Sequence, residues 1–259
     1  VELKLGGLLI LLVATAPGQT NSSAAVAESR IIPPAAHHVL PEDETLVFSV
    51  QWHMLNAGTT TILLRNNGRA EHLTSTADTE GFTNKIFPVH DIFQADFDPR
   101  TFCTAQIVRH AEEGPRRLNR RVFFDYPRAK STVDEEDLKS GRSKHAEFDI
   151  PPCVTDVVSG FFYAGSLDLT PGYTQTFPVN DGGKTTDVKI EVEARESVKV
   201  PAGSFATIRV RVQPVSGPLK GSLWVWLTDD SRHLPVQMRS KLGFATLFFQ
   251  LQRIEAAAR

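Results

Sequence analysis

Residues 45–54 read Thr45-Leu46-Val47-Phe48-Ser49-Val50-Gln51-Trp52-His53-Met54. Leu46, Phe48, Val50, Trp52 and Met54 fall on one side of an extended chain, with Thr45, Ser49, Gln51 and His53 on the other. A period of two presses one face of a strand against a core and leaves the other in water. The alternation returns at Val188, Ile190, Val192 and Ala194, and again at Ala206, Ile208, Val210 and Val212, each set against polar or charged neighbours. Asn66-Asn67-Gly68, Asp98-Pro99-Arg100, Gly114-Pro115, Asp181-Gly182-Gly183 and Pro201-Ala202-Gly203 punctuate the chain with tight-turn chemistry. Short links make neighbouring strands pair antiparallel, so a meander is expected.

One segment departs from this period. After Pro151-Pro152, the residues Val154, Val157, Val158, Phe161 and Phe162 form the apolar stripe of a short helix. The prolines suit its entrance, Asp156 suits its first turn and Gly165 suits its exit. A long sheet with one apolar face must cover that face, and one short helix is too small to do so. The chain is therefore expected to be mainly β, a long antiparallel sheet curled into a half-barrel or open barrel around a single mid-chain helix. A two-sheet β sandwich is the competing arrangement.

The 259 residues are 41% hydrophobic and 22% charged, enough to bury a core, and the formal charge of -2 argues against a nucleic-acid partner. Lys4 followed by the apolar run Leu5 to Ala14 has the form of a secretory leader, with a small-residue cleavage site at Ala25-Val26-Ala27. A retained anchor helix is the alternative. The expected organisation is a signal peptide over 1–27, a linker or N-terminal arm over 28–41 and one β domain over 42–259. No transmembrane span is expected in the mature chain, which should be exported, either periplasmic or secreted. In an oxidising compartment the two cysteines, Cys103 and Cys153, favour a disulfide over two buried thiols.

Candidate chemistry is sparse. Leu223-Trp224-Val225-Trp226-Leu227 is apolar on both faces. Trp224 and Trp226 could line a groove for lipid or sugar, or the strand could be covered on both sides, for instance by the N-terminal arm. Asp229 and Asp230, close to His233, are acid-base candidates, but a run of Asp and Ser between strands is also what a hairpin turn needs. Arg109, Arg116, Arg117, Arg120 and Arg121 read as a solvated edge or as a patch for an anionic partner, offset by Asp134-Glu135-Glu136-Asp137. The eight histidines form no metal-ligand spacing, and no catalytic or phosphate-binding motif occurs, so neither metal nor cofactor is expected.

The order of motifs resembles an exported bacterial family, domain of unknown function 3108. The resemblance rests on Glu44-Thr45-Leu46-Val47-Phe48 with Trp52 and Ala57-Gly58, and on Ile150-Pro151 with Asp156-Val157-Val158-Ser159 and Tyr163. Pro201-Ala202-Gly203-Ser204-Phe205, Trp226-Leu227-Thr228-Asp229-Asp230 and Leu234-Pro235-Val236 complete it. Phe48 stands where the family has a tyrosine, and Ala164-Gly165 where it continues with more polar residues. The resemblance implies an exported β domain, periplasmic in a Gram-negative host, and carries no activity with it. The leading expectation is a non-catalytic envelope protein that holds a lipid or other amphipathic ligand in a curved sheet. Trp52, Trp224, Trp226, Phe161 and Phe162 are the groove candidates. The alternatives are a polysaccharide-acting enzyme built on Asp229 or Asp230, and an envelope scaffold that meets a protein partner through its arginines.

Overall fold

The alternating runs become strands of one sheet. A computed structural model describes residues 29–41, 43–52, 55–66, 70–216, 221–242 and 245–256. The expected leader over 1–27, together with His53, Met54, Asn67 and Gly68, lies outside these residues. The first half of the chain supplies β1 (Glu44–Trp52), β2 (Leu55–Asn66), β3 (Glu71–Thr79), β4 (Val89–Phe97), β5 (Thr104–Glu113), β6 (Arg116–Asp125), β7 (Lys130–Asp137) and β8 (Arg142–Asp149). The second half supplies β9 (Thr155–Asp156), β10 (Thr174–Asn180), β11 (Thr185–Val200), β12 (Gly203–Pro214), β13 (Ser222–Thr228), β14 (Pro235–Leu242) and β15 (Ala245–Ala256). Two helices interrupt them, α1 (Gly81–Ile86) and α2 (Ser159–Gly165).

All fifteen strands share one sheet, in the order β8-β7-β6-β5-β4-β3-β2-β1-β15-β14-β13-β12-β11-β10-β9. This is two meanders joined where β1 pairs with β15. The free edges, β8 and β9, are consecutive in the chain. A single sheet rules out the sandwich. The sheet curls without closing: no ladder joins its edges, and the β9 side comes round to the start of β5, where the Thr104 N–H donates to the Val154 carbonyl at 2.8 Å. Tyr126 Oη donates to the Thr104 carbonyl at 2.7 Å, and Cys103 and Cys153 are joined by a disulfide across the same seam. Curling brings backbones close. A side chain on Gly58 would overlap the Asp78 carbonyl.

Strand direction gives the curled sheet two unlike ends. One bears α1 and the β1–β2, β5–β6, β7–β8, β10–β11, β12–β13 and β14–β15 turns; we call it the α1 end. The other bears the disulfide. There α2 fills the interior, with Phe162 and Tyr163 buried and the Tyr163 ring 5.5 Å from Phe102 and 4.7 Å from Phe177. Residues 29–41 lie across α2, with N–H bonds from Arg30 to the Thr176 carbonyl (3.1 Å), Ala35 to Ser166 (2.7 Å) and Val39 to Ser231 (3.0 Å). Tyr163 Oη accepts from the Ile32 N–H at 2.9 Å.

Two expectations need correction. The helix starts at Ser159, not just after the prolines, because Asp156 Oδ1 accepts the N–H groups of Val158 and Ser159, each at 2.9 Å. That bonding holds Thr155-Asp156 extended beside Val179-Asn180 as the short parallel strand β9. There is also a second helix, α1, whose sequence Gly81-Phe82-Thr83-Asn84-Lys85-Ile86 has no apolar stripe directed at the core.

The disulfide closes a loop with a sequence separation of 50. On the chain-entropy account, replacing both cysteines by serine should lower the unfolding free energy by about 4 kcal/mol. Urea denaturation measures this, and a reductant should reproduce the loss in the wild-type chain while leaving the double variant unchanged.

Candidate functional site

Burial along the inner face is graded. The cross-strand row Val210, Val225, Met238, Phe249 and Val50 is 0–4% exposed. One step towards the α1 end, the row Val212, Leu223, Ser240, Leu247, Trp52 and Leu55 is continuous across six strands, β12 to β2. Here Val212, Leu223, Ser240 and Trp52 are half-buried, Leu247 is still buried and Leu55 is 62% exposed. Among the described residues the interior therefore opens at the α1 end, as a mouth with an apolar wall.

The opposite wall is ionic. Arg109, 5% exposed, reaches Asp91 at 2.9 Å and also pairs with Glu113, to which Arg116 adds a contact of 3.2 Å. Burial pushes the Glu113 carboxyl above its usual range; Arg109 pulls against this, and the Asp91 charge adds to it. The cavity beside this cluster, between Ser75, Phe93, Arg109 and Val158, measures about 20 Å³. That is room for a single water, far below the size of a ligand site. The cluster is a structural ion network at the edge of the mouth.

The expected groove residues divide. Trp52 belongs to the mouth. Trp224 and Trp226 point the other way: their neighbours Leu223, Val225 and Leu227 take the inner face, while Trp224 lies under Arg239 at 4.3 Å and Arg211 at 5.7 Å on the outside. Trp226 Nε1 donates to Glu196 at 2.6 Å, also on the outside. This strand is covered outside by arginine and glutamate side chains, with the N-terminal arm elsewhere. Phe161 and Phe162 sit on α2 at the disulfide end, packed into the core. The arginines do not form a free patch either. Arg109 is buried, Arg117 pairs with Glu112 at 3.0 Å, and Arg120 Nε donates to Glu135 at 2.8 Å.

Asp229 and Asp230 lie at the disulfide end, in a polar cleft of about 230 Å³ with Asp168, Arg195, Ser231 and His233. The two carboxylates have different partners, Asp229 across to β11 and Asp230 within its own turn. Asp229 faces Arg195 at 3.6 Å. Asp230 Oδ1 accepts from the Thr228 hydroxyl at 2.8 Å and from the N–H groups of Arg232 (3.0 Å) and His233 (3.2 Å). Burial works to raise Asp230, but these bonds outweigh it and hold the carboxyl below its usual range. Such a group keeps no proton to donate near neutrality. They also hold His233 at φ 44°, where its Nδ1 meets the Gly165 carbonyl at 2.6 Å. Among the described residues no group of three His, Cys, Asp or Glu side chains could hold a metal ion, and no helix is long and apolar enough to cross a membrane.

The family described as "Protein of unknown function (DUF3108)" matches residues 47–252. The chain belongs to this family. No curated protein matches it. Among solved structures, this DUF3108 member is similar to a beta-barrel-like protein of domain of unknown function DUF1849 from Brucella abortus, at a TM-score of 0.58 and 8% identity over 89% of this chain and 100% of that one. That likeness extends to the fold alone. A protein from Bacteroides fragilis described as exported, with a YmcC-like fold, aligns at a TM-score of 0.33 and 8% identity, over 84% of this chain and 98% of that one. A protein from Parabacteroides distasonis described as a lipoprotein aligns at 0.33 and 8%, over 88% and 100%.

The mouth and the row behind it were not visible in the DUF3108 sequence because cross-strand register was not. The contact between the arm and the core was hidden for the same reason. His38 stacks on His233 at 6.3 Å between ring centres, both its ring nitrogens buried without a hydrogen-bond partner. Burial, reinforced by the charges of His233 and His37, lowers its pKa from 6.5 to about 4. The released imidazole thus takes up a proton that the docked one refuses, so the arm's contribution is complete above pH 6.5 and is lost as pH falls towards 4. A melting temperature that declines across this window in the wild type should decline less in His38→Gln. Arg109→Met should cost about 3–5 kcal/mol in urea denaturation, because it leaves Asp91 and Glu113 buried without their cation.

Proposed function

We propose that this DUF3108 protein is an exported, non-catalytic binding protein that takes the apolar part of a lipid or other amphipathic ligand into the mouth at the α1 end. The observation that carries the reading is the continuous row from Val212 to Leu55, apolar except at Ser240 and left half open, apart from the buried Leu247, where the row behind it is sealed. A soluble fold gains by burying such side chains, and their exposure in a concave setting suits a ligand of matching chemistry. Of the ionic cluster beside the mouth, Arg116 is half exposed and offers a polar contact for a headgroup, while Asp91, Arg109 and Glu113 are buried. α2 and the arm stop the other end, so a ligand would enter and leave by one route. Export is supported by the leader-like segment at the start of the sequence and by the Cys103–Cys153 disulfide, which suits an oxidising compartment.

Titration of residues 29–259, which carry every described strand and helix, with a dansyl-labelled fatty acid tests the reading. Saturable binding is expected, with Trp52→Ala weakening it at least about tenfold through lost apolar contact. Trp224→Ala, on the outer face, should leave it unchanged. Absence of saturable binding, or equal loss in both variants, would sink the proposal.

A further inference from the structure

The α1 end carries a second feature, on its outer rim. Among the described residues Leu55, Phe82, Ile86, Leu138 and Val215 are large apolar side chains with 40–72% exposure, and strand direction puts all five at this end. They come from four separate connections. α1 is the clearest case, since none of its residues is buried. Phe82 and Ile86 stand one helical turn apart on the same side, 72% and 62% exposed. The helix is nonetheless fixed in place, by a bond from the Glu80 N–H to the Ala57 carbonyl at 3.1 Å and by the Phe87 ring set against Gly114. An anchored helix that presents its apolar side to water is a surface awaiting a partner.

The charges on this rim say which partner. Lys85, Lys139, Arg142 and Lys184 are exposed, and none carries an ion pair among the described residues. Three neighbouring carboxylates are engaged locally, and one of them, Asp181, is buried. Asp137 accepts the N–H groups of Lys139 (3.0 Å) and Ser140 (2.9 Å), Asp181 that of Lys184 (2.9 Å), and Glu80 the Thr59 hydroxyl (2.6 Å). Glu80 and Glu136 are exposed, two carboxylates against these four cations. A chain of net charge -2 thus turns an apolar rim with an outward excess of cations towards whatever lies beyond its mouth. Apolar tips ringed by lysine and arginine match the acyl boundary and phosphates of an anionic bilayer.

We propose that the α1 end docks on an anionic lipid surface, with Phe82 and Ile86 entering the headgroup layer and Lys85, Lys139, Arg142 and Lys184 meeting phosphates. Docked this way, the protein presents the Trp52 mouth to the membrane. The surface does not depend on the mouth being occupied, so the two proposals can fail separately.

Co-sedimentation of residues 29–259 with vesicles provides the test; the leader is omitted because its own apolar run would bind lipid. Vesicles of phosphatidylcholine and phosphatidylglycerol should pellet the protein, while phosphatidylcholine alone should do so weakly. Phe82→Ser with Ile86→Ser should cut partitioning at least about tenfold, from the apolar burial lost. Lys85→Glu with Lys139→Glu should abolish the preference for the anionic vesicles. All four side chains are exposed, so the melting temperature should hold in both variants. Failure to pellet with the anionic vesicles, or wild-type partitioning by both variants, would overturn docking. Trp52→Ala should bind vesicles as the wild type does even where its fatty-acid binding is lost; a matching loss on vesicles would assign lipid contact to the mouth and also overturn docking by the rim.

Discussion

Every long strand except the edge strand β8 has one face to bury, and the described residues hold too little helix to bury it from outside. Curling is the remaining solution. Once the sheet curls, its inner face becomes the core, and the position of each further element follows from where the curl is imperfect. α2 fills the disulfide end, where Phe102 and Phe177 give Tyr163 an aromatic seat. The seam is held by a covalent bond and isolated hydrogen bonds rather than by a ladder, since β9 is too short to pair along β5. The edge strand β8 is left mostly exposed and rich in charge, which protects it from pairing with another chain.

The two ends consequently differ in physical character. At one, polar backbone groups of the arm and α2 are satisfied by each other, Asp230 holds the β13–β14 turn in shape and Asp229 faces Arg195. At the other, no covering layer lies over the row from Val212 to Leu55 among the described residues, and the ion cluster around Arg109 occupies the wall where apolar side chains would otherwise have completed a seal. A buried arginine with two carboxylates is a costly way to fill space. Its position at the transition from sealed core to open mouth makes it a boundary between the part of the sheet that carries the fold and the part free to bind.

The sequence made some of this legible and hid the rest for identifiable reasons. Strand alternation is a local signal, and Leu46 to Val50 or Val188 to Val192 announce their faces without reference to any neighbour. Gly165 ended the helix as read, but its start was displaced by Asp156, whose side chain captured two N–H groups before the helix could begin. Trp224 and Trp226 were misplaced because a strand apolar on both faces does not say which face is inner; the arginines that cover them come from β12 and β14. Arg109 looked like a surface charge because its partner Asp91 lies on another strand. α1 left no trace in the apolar pattern, as expected of a helix that buries nothing.

The meeting of β1 and β15 in the middle of the sheet has a kinetic consequence. A strand near the start of the domain has to wait for the last strand before one of its edges is satisfied, while the two free edges lie next to each other in mid-chain. The β1–β15 ladder therefore gives the fold a high contact order, and the loop-closure entropy for it is paid across nearly the whole domain. Each half can assemble locally as a meander, but neither can curl fully until both exist. The fold is thus biased towards late, all-or-none completion, and a chain truncated before β15 would expose one edge of β1 as a site for mispairing.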